Sequence, residues 1–193
     1  MKRITVFCGS SPGHDPAFME MAYQLGQQLA ASKIGLVYGG AKVGLMGAVA
    51  DGALSKQGKV IGVLPTFLRT KEIAHEGLTE LILVESMHER KTKMHELSDG
   101  IIALPGGYGT LEEYFEMLTW GQLGLHKKPV ALLNINGYYD GLLSLADTMV
   151  TSGLLKPVNR DMMLVSRTVE DLLQQMHSYN PPVVGKWLTP EKT

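Results

Sequence analysis

Short apolar runs alternate with amphipathic stretches along most of the chain. Seven runs have the length and composition of strands, at residues 3–8, 34–39, 59–64, 80–84, 100–104, 129–134 and 162–166. Between them apolar positions recur at helical spacing, near residues 16–32, 43–56, 87–97, 110–122, 138–151 and 168–178. Strands that are apolar on both faces lie in parallel sheets covered by helices. The pattern therefore predicts an α/β fold, a doubly wound parallel sheet of about six or seven strands flanked by helices.

The alternation runs to about residue 180 without an internal repeat or a linker. Residues 1–180 are therefore expected to form a single domain, and the chain of 193 residues is long enough to bury a substantial core. Residues 181–193 form a C-terminal tail that carries Trp187. The sequence leaves open whether this tail docks on the domain or on a partner.

The loops that follow strands are the expected position of a site, because ligands of doubly wound sheets bind beyond the carboxyl ends of the strands. These loops span residues 9–13, 39–44, 65–73, 85–91 and 105–110. Several are rich in glycine or small hydroxyl residues, which is typical of phosphate sites and also of plain tight turns. None fits the dinucleotide pattern G-x-G-x-x-G or the pattern G-x-x-x-x-G-K-[ST]. The loops thus indicate an anion site without identifying its ligand.

Composition and charge narrow the class of partner. The chain is 45% hydrophobic and 19% charged, as in a folded globular protein. A net charge of -1 gives no general attraction to nucleic acid or to an anionic membrane, so neither is expected as a partner. No segment approaches the roughly 20 apolar residues of a membrane span. The single cysteine, Cys8, is expected to be a buried thiol, and a cytoplasmic location is predicted.

One short stretch, "LPGGYGTLEEYFEML", places glycines directly before two glutamates. Thr110 and Glu113 fit S/T-x-x-E, a capping box in which the glutamate reaches back to the threonine amide. This would give Glu113 a purely structural role. Glu112 would lie in the first helical turn, where an acidic side chain favours the helix dipole and is usually solvated.

The helical pattern that follows argues against a purely structural Glu113. Leu111, Phe115 and Leu118 recur at core spacing, with Tyr114 beside them, and Glu113 points away from that stripe. Met117 and Trp120 share the side of Glu113. Apolar residues on an expected solvent face suggest that something covers it, and a second copy of the chain is the simplest cover. The pattern therefore predicts a homodimer with Glu113 near the subunit interface.

The preceding helix carries cations on its inward side. In "SMHERKTKMHEL", Met87, Met94 and Ser98 mark an inward line, and both Arg90 and Lys91 lie close to it. Their stems could be buried with the charges in water. Alternatively they lie level with residues 105–110, where they would hold a phosphate or organise a carboxylate together with the amides of the glycine loop.

These stretches resemble the LOG ("lonely guy") family, cytokinin riboside 5'-monophosphate phosphoribohydrolases long mislabelled as lysine decarboxylases. "PGGYGTLEE" matches its P-G-G-x-G-T-x-x-E motif, and the match extends to "MHERKTKM", "TWGQLGLHKKPVALLNINGYYDGLL" and "VFCGSS". The resemblance implies a Rossmann-like homodimer without a cofactor. It also implies cleavage of the N-glycosidic bond of a purine nucleoside 5'-monophosphate, with AMP and N6-prenylated AMP both open as substrates.

The resemblance also implies the site residues. Its catalytic pair falls on Arg90 and Glu113. Its substrate-binding positions carry over to the following residues: Glu72, Arg90, Lys91, Gly106, Gly107, Tyr108, Gly109, Thr110, Leu111, Glu112, Glu113 and Thr119. Gly9 and Ser10 are expected to face the nucleotide. Glu113 would stabilise the oxocarbenium-like transition state or activate water, Arg90 would position it or the phosphate, and Glu72 or water would assist the leaving base.

Other classes stay open at this stage. The same motif resembles molybdenum-cofactor carrier proteins, which would bind a nucleotide-like ligand without turnover. A lysine decarboxylase is disfavoured, because no lysine at a strand end forms a convincing pyridoxal phosphate site. A metal site is not expected, since His88 and His95 lie seven residues apart and no cysteine cluster is present.

Overall fold

The computed structural model describes residues 1–68 and 74–182. Seven strands form one sheet, and each neighbouring pair is parallel. They are β1 (Arg3–Phe7), β2 (Gly35–Tyr38), β3 (Val60–Pro65), β4 (Glu80–Val84), β5 (Gly100–Ala103), β6 (Val130–Leu133) and β7 (Met163–Ser166). Their order in the sheet is β4-β3-β2-β1-β5-β6-β7. The predicted Rossmann-like doubly wound sheet is confirmed.

Helices connect the strands. They are α1 (Pro16–Ala31), α2 (Gly44–Ser55), α3 (Met87–Leu97), α4 (Tyr108–Gln122), α5 (Asp140–Thr151), α6 (Pro157–Arg160) and α7 (Val169–Ser178), with 3-10 turns at Thr66–Leu68 and Ile135–Gly137. The six predicted helices are confirmed. The single turn α6 was not predicted, because four residues are too few to show a period.

The core lies on both faces of the sheet, as strands with two apolar faces require. Ile4 and Val6 of β1 point into a cluster covered by α1, α2 and α7. Phe7, from the opposite face of the same strand, packs into a second cluster with residues of α3, α4 and α5, including Met94 and Tyr114. Because side chains alternate along β1, the strand contributes residues to two separate hydrophobic layers.

The site is positioned by the reversal of strand order at β1. The chain moves from β1 to β2 on one side and returns to place β5 on the other, so the loops after β1 and β5 diverge. The Gly9 amide donates to the Pro105 carbonyl at 3.0 Å and holds the bases of the two loops together. A reversal of this kind opens a crevice at the carboxyl edge, which is where doubly wound folds bind their ligands.

Within residues 1–68 and 74–182, no helix combines the length and apolar character needed to cross a bilayer. Of the tail, only Pro181 and Pro182 belong to the described residues, and Trp187 lies outside them.

Candidate active site

A cavity of about 230 Å³ lies at the reversal point. Its walls come from the end of β1, from the loops after β1, β2 and β5, and from α2, α3 and α4. Glu113 and Arg90 both face into it, so the two residues implied as a catalytic pair are brought together by the fold. The cavity is flanked by a second one of about 330 Å³, and Gly9, Ser10 and Gly107 line both.

Helix α3 begins with a side-chain cap that fixes the residues after it. The Ser86 hydroxyl accepts from the Glu89 amide at 3.1 Å, and the Glu89 carboxylate accepts from the Glu85 amide at 2.8 Å. This reciprocal pattern is close to a capping box and satisfies amides that the first helical turn leaves free. The cap therefore fixes the position of the helical turn that carries Arg90.

The Arg90 side chain is 7% exposed and its guanidinium is held by backbone carbonyls. Its Nε donates to the Val63 carbonyl at 3.1 Å, and Nη2 donates to the Gly39 carbonyl at 3.2 Å. Val63 lies in the second half of β3 and Gly39 directly follows β2, so the backbone near the carboxyl edge of the sheet positions the charge. The interpretation in which the guanidinium of Arg90 reaches bulk water is wrong, because two backbone carbonyls hold this group inside the fold.

Helix α4 begins at Tyr108, with Gly107 as its N-cap and no side-chain cap. The capping-box interpretation of Thr110 and Glu113 is therefore wrong, because the helix starts before Thr110 and places it inside the first turn. The first amides of a helix have no partner within it. Since no side chain covers them here, they remain available to an anion, and the positive end of the helix dipole favours one.

The glycines before α4 differ in what surrounds them. A Cβ at Gly106 would lie 2.1 Å from the Thr110 hydroxyl oxygen, so Gly106 permits the loop to pack on the helix. A Cβ at Gly107 or Gly109 would meet nothing within 4 Å, and neither glycine has a positive φ. Packing inside the described chain therefore does not explain these two, whereas a ligand lying directly on the backbone would.

Glu113 is partly buried beside the Arg90 guanidinium. Burial raises the pKa of Glu113 to about 7, while the Arg90 charge opposes the rise and the Glu112 charge adds to it. A carboxylate that exchanges its proton near neutral pH suits general acid–base work. Burial also raises the pKa of the Cys8 thiol in the same cavity, so the thiol is neutral there.

The predicted orientation of α4 requires a correction. Met117 is fully buried in the chain's own core, and Trp120 packs edge-to-face on His95 with ring centroids 5.4 Å apart. No second copy is needed to cover them. The buried line of α4 is centred on Tyr114, while Leu111 and Phe115 are only partly buried. Apolar residues surround most of this helix, so periodicity did not determine which side meets the sheet.

Lys91 is buried, but it faces α4 rather than the cavity. Its Nζ donates to Glu112 at 2.5 Å and lies 3.0 Å from Glu116. Burial alone lowers the pKa of Lys91, but the hydrogen bonds and charges of the two glutamates outweigh this and raise it. Lys91 and Glu112, both implied as substrate-binding, are thus joined to each other and tie α3 to α4.

The remaining implied residues are spread over several positions. Gly9, Ser10, Gly107, Gly109 and Thr110 line the cavity. Gly106 borders the neighbouring cavity, Tyr108 is 94% exposed, and Leu111 packs against the core.

Thr119 lies away from this cavity. Thr119 lies in an apolar groove of about 170 Å³ with residues of α5 such as Leu142 and Met149. Glu72 lies outside the described residues.

Several residues that line the cavity were not among the predicted site residues, and Gly39, Met46 and Met87 are three of them. Gly39 lies in a loop that was marked as glycine-rich. The two methionines follow helical periodicity and gave no separate signal.

The fold and this cavity define a class, the Rossmann-like α/β proteins with a site at the reversal of strand order. Among solved structures, the chain is similar to the molybdenum cofactor binding protein from Rippkaea orientalis. That comparison has a TM-score of 0.68 and 27% identity, covering 92% of this chain and 97% of that one. A molybdenum cofactor carrier protein from Chlamydomonas reinhardtii, at TM-score 0.67 and 23% identity, shares the fold.

The sequence comparisons identify the family to which the chain belongs. The family model described as "Possible lysine decarboxylase" matches residues 46–176. A cytokinin riboside 5'-monophosphate phosphoribohydrolase of Arabidopsis thaliana is 47% identical over 180 residues, covering 93% of this chain and 83% of that protein. One from Rhodococcoides fascians is 48% identical over 178 residues, covering 92% and 90%. The chain therefore belongs to this family and is similar to its members named as phosphoribohydrolases.

Proposed function

We propose that this protein hydrolyses the N-glycosidic bond of adenine nucleoside 5'-monophosphates, N6-modified as in cytokinins or plain, to the free base and ribose 5-phosphate. The observation that carries the proposal is the pairing of Glu113 with Arg90 in one cavity beside the uncapped start of α4. The relatives named as phosphoribohydrolases, which match more than nine-tenths of the chain, support the reaction class.

The 5'-phosphate would bind the amides of residues 107–110. The geometry supports this, because two of the glycines there have open space where a side chain would lie. The helix dipole and the unpartnered amides both favour a dianion. Gly9 and Ser10 would close the opposite side of the phosphate or ribose, since they line the same cavity.

Glu113 would act at the anomeric carbon. As the bond from C1' to the base nitrogen breaks, its electron pair leaves with the base and positive charge develops on the ribose. The carboxylate stabilises that charge and accepts a proton from the water that attacks C1'. The leaving base takes up a proton from a second water or from Glu72, which the family resemblance implies for this role. Glu113 then returns the proton that it accepted to solvent. Glu113 needs to be ionised for this role.

Arg90 would organise the carboxylate and the substrate. Its anchored guanidinium keeps part of the positive charge beside Glu113 and thereby opposes the effect of burial on the pKa of Glu113. The donors that the two carbonyls leave unused would reach a ribose hydroxyl or the phosphate. Lys91 and Glu112 would support the site indirectly, by holding α3 against α4.

The deciding experiment is a chromatographic assay of base release from AMP and from isopentenyladenosine monophosphate. We expect the wild type to release base, and both Glu113→Gln and Arg90→Ala to lose at least about 100-fold in kcat. Glu170→Gln is the matched control, because it removes an exposed carboxylate of α7 that does not line the cavity. Release of base by Glu113→Gln at the wild-type rate would contradict the assignment.

A carrier without turnover is the second candidate, favoured by the structural likeness to the molybdenum cofactor binding protein. The same assay separates the two. A wild type that binds nucleotide tightly and releases no base from either substrate would favour the carrier.

We also infer that the protein acts as a homodimer in the cytoplasm. Met117 is buried within the chain and so does not indicate a dimer, but two other observations support one. Leu145, 51% exposed, borders the apolar groove between α4 and α5, and Thr119, implied as a substrate residue, lies in that groove away from its own cavity. Light scattering on the wild type and on Leu145→Glu tests this, and a wild-type monomer would refute it. The single cysteine fits a reducing compartment.

A further inference from the structure

We propose that Gly39 is a positioning residue for catalysis, whose missing side chain provides the space occupied by the Arg90 guanidinium. The inference rests on the proposed function, since it assigns Gly39 a task in the same site. None of the sequence patterns distinguishes Gly39 from the glycine beside it, and only the packed structure shows what lies against its Cα.

The close approach is specific to Arg90. A Cβ built on Gly39 would lie 2.0 Å from Arg90 Nη2 and 3.2 Å from its Cζ. The third contact is the sulfur of Met46, at 2.9 Å. Gly39 also accepts a hydrogen bond from Nη2 through its carbonyl, so one residue supplies both the acceptor and the room beside it.

Backbone conformation does not explain this glycine. Gly39 is absent from the residues with positive φ, whereas its neighbour Gly40 has a φ of 82°. An alanine at position 39 is therefore conformationally allowed, and only side-chain contacts oppose it. Both atoms that it would meet first are at the ends of flexible side chains, which can move while the fold is kept.

A movement of the Arg90 side chain would disturb the candidate active site. A nonbonded contact of a methyl group lies at roughly 3.5 Å, so the guanidinium would have to shift by on the order of 1.5 Å. Such a shift disrupts the hydrogen bonds that now hold it at 3.1 Å from Val63 and 3.2 Å from Gly39. A displacement of about 1 Å in a catalytic group costs on the order of 100-fold in rate.

The test is a double-mutant cycle on the full chain with Gly39→Ala, Arg90→Ala and both together. We expect Gly39→Ala to lower kcat by on the order of 100-fold while KM changes by less than about 3-fold. In the Arg90→Ala background the same change should alter the rate by less than about 2-fold, because the clashing group is gone. Gly141→Ala, at an open position in α5, is the matched control and keeps wild-type activity.

A purely structural role would give a different result. Wild-type activity in Gly39→Ala, or rate losses that multiply in the double variant, would overturn the proposal. If Gly39→Ala fails to fold but the double variant folds, the clash with Arg90 is confirmed. If neither variant folds, the missing side chain of Gly39 is needed for packing against Met46 or the backbone and not for Arg90, and the proposal is wrong.

A readout without turnover separates this inference from the proposed reaction. The Nε–H signal of Arg90 in nitrogen-15 NMR, assigned by its absence in Arg90→Ala, should be protected from exchange by its bond to Val63. We expect Gly39→Ala to remove that protection. If the wild type releases no base but the protection is lost as expected, the positioning role stands and the proposed reaction fails. Retained protection in Gly39→Ala overturns the positioning role.

Discussion

Replacing Glu113 by glutamine should stabilise the protein while it abolishes catalysis. Burial raises the pKa of Glu113 from 4.5 to about 7 in the folded chain, so the ionised carboxylate destabilises the native state above neutrality. Glutamine has nearly the same shape and carries no charge. The pKa of about 7 already includes the attraction between Glu113 and Arg90, which opposes the rise caused by burial.

The magnitude follows from proton linkage. One pKa unit corresponds to about 1.4 kcal/mol, so at pH 8 the charged Glu113 costs the fold about 3 kcal/mol. As the pH falls through 7 the native state takes up a proton that the unfolded chain does not yet bind, and the cost declines. At pH 5 it is about 1 kcal/mol, and below the unfolded pKa it disappears.

Urea unfolding of the wild type and Glu113→Gln at pH 8 and pH 5 measures this difference. We expect the variant to be more stable by about 3 kcal/mol at pH 8 and by about 1 kcal/mol at pH 5. Glu112→Gln is the control, because it removes an exposed partner of Lys91 and should change stability by less than about 1 kcal/mol. Equal gains at both pH values, or none at pH 8, would refute the buried-charge reasoning.

Three further outcomes are expected. The kcat/KM of the wild type should rise with pH through a midpoint near 7, because Glu113 acts ionised, and a flat profile from pH 5 to 9 would contradict this. Lys91→Met should lower stability by about 1–3 kcal/mol in thermal melts, since it leaves Glu112 and Glu116 without their shared cation, and an unchanged melt would exclude the tie between α3 and α4. Gly107→Ala should lower stability by about 1 kcal/mol, because alanine is a poor N-cap, and should weaken phosphate binding in calorimetry, and unchanged affinity would move the phosphate away from α4.

Much of the architecture could be read from the sequence, because local patterns are sufficient for it. Strands apolar on both faces are typical of a parallel sheet covered by helices, and all seven lie within one residue of their predicted bounds. The inward position of Arg90 also followed from helical spacing alone. The single-domain boundary at residue 180 stays a prediction.

The errors arose where one helix offered more than one apolar side. On α4, Met117 was expected to face a second copy and lies in the core instead. The start of the same helix was placed at Thr110, although glycine at position 107 serves as N-cap through its backbone. Periodicity gives the spacing of a stripe, but the direction of that stripe depends on the sheet and on α3, which are distant in sequence.

By itself, the sequence determined the parallel sheet, the edge at which a ligand binds and the two family motifs that contain Arg90 and Glu113. Only the tertiary structure decided that Lys91 pairs with Glu112, that burial raises the pKa of Glu113 to about 7, and that Gly39 leaves room for a guanidinium. The physical reason is that hydrophobic periodicity is a local property of the chain. Burial, charge pairing and close contact arise between residues that are distant in sequence, such as Arg90 and Gly39, which are hydrogen-bonded across 51 positions.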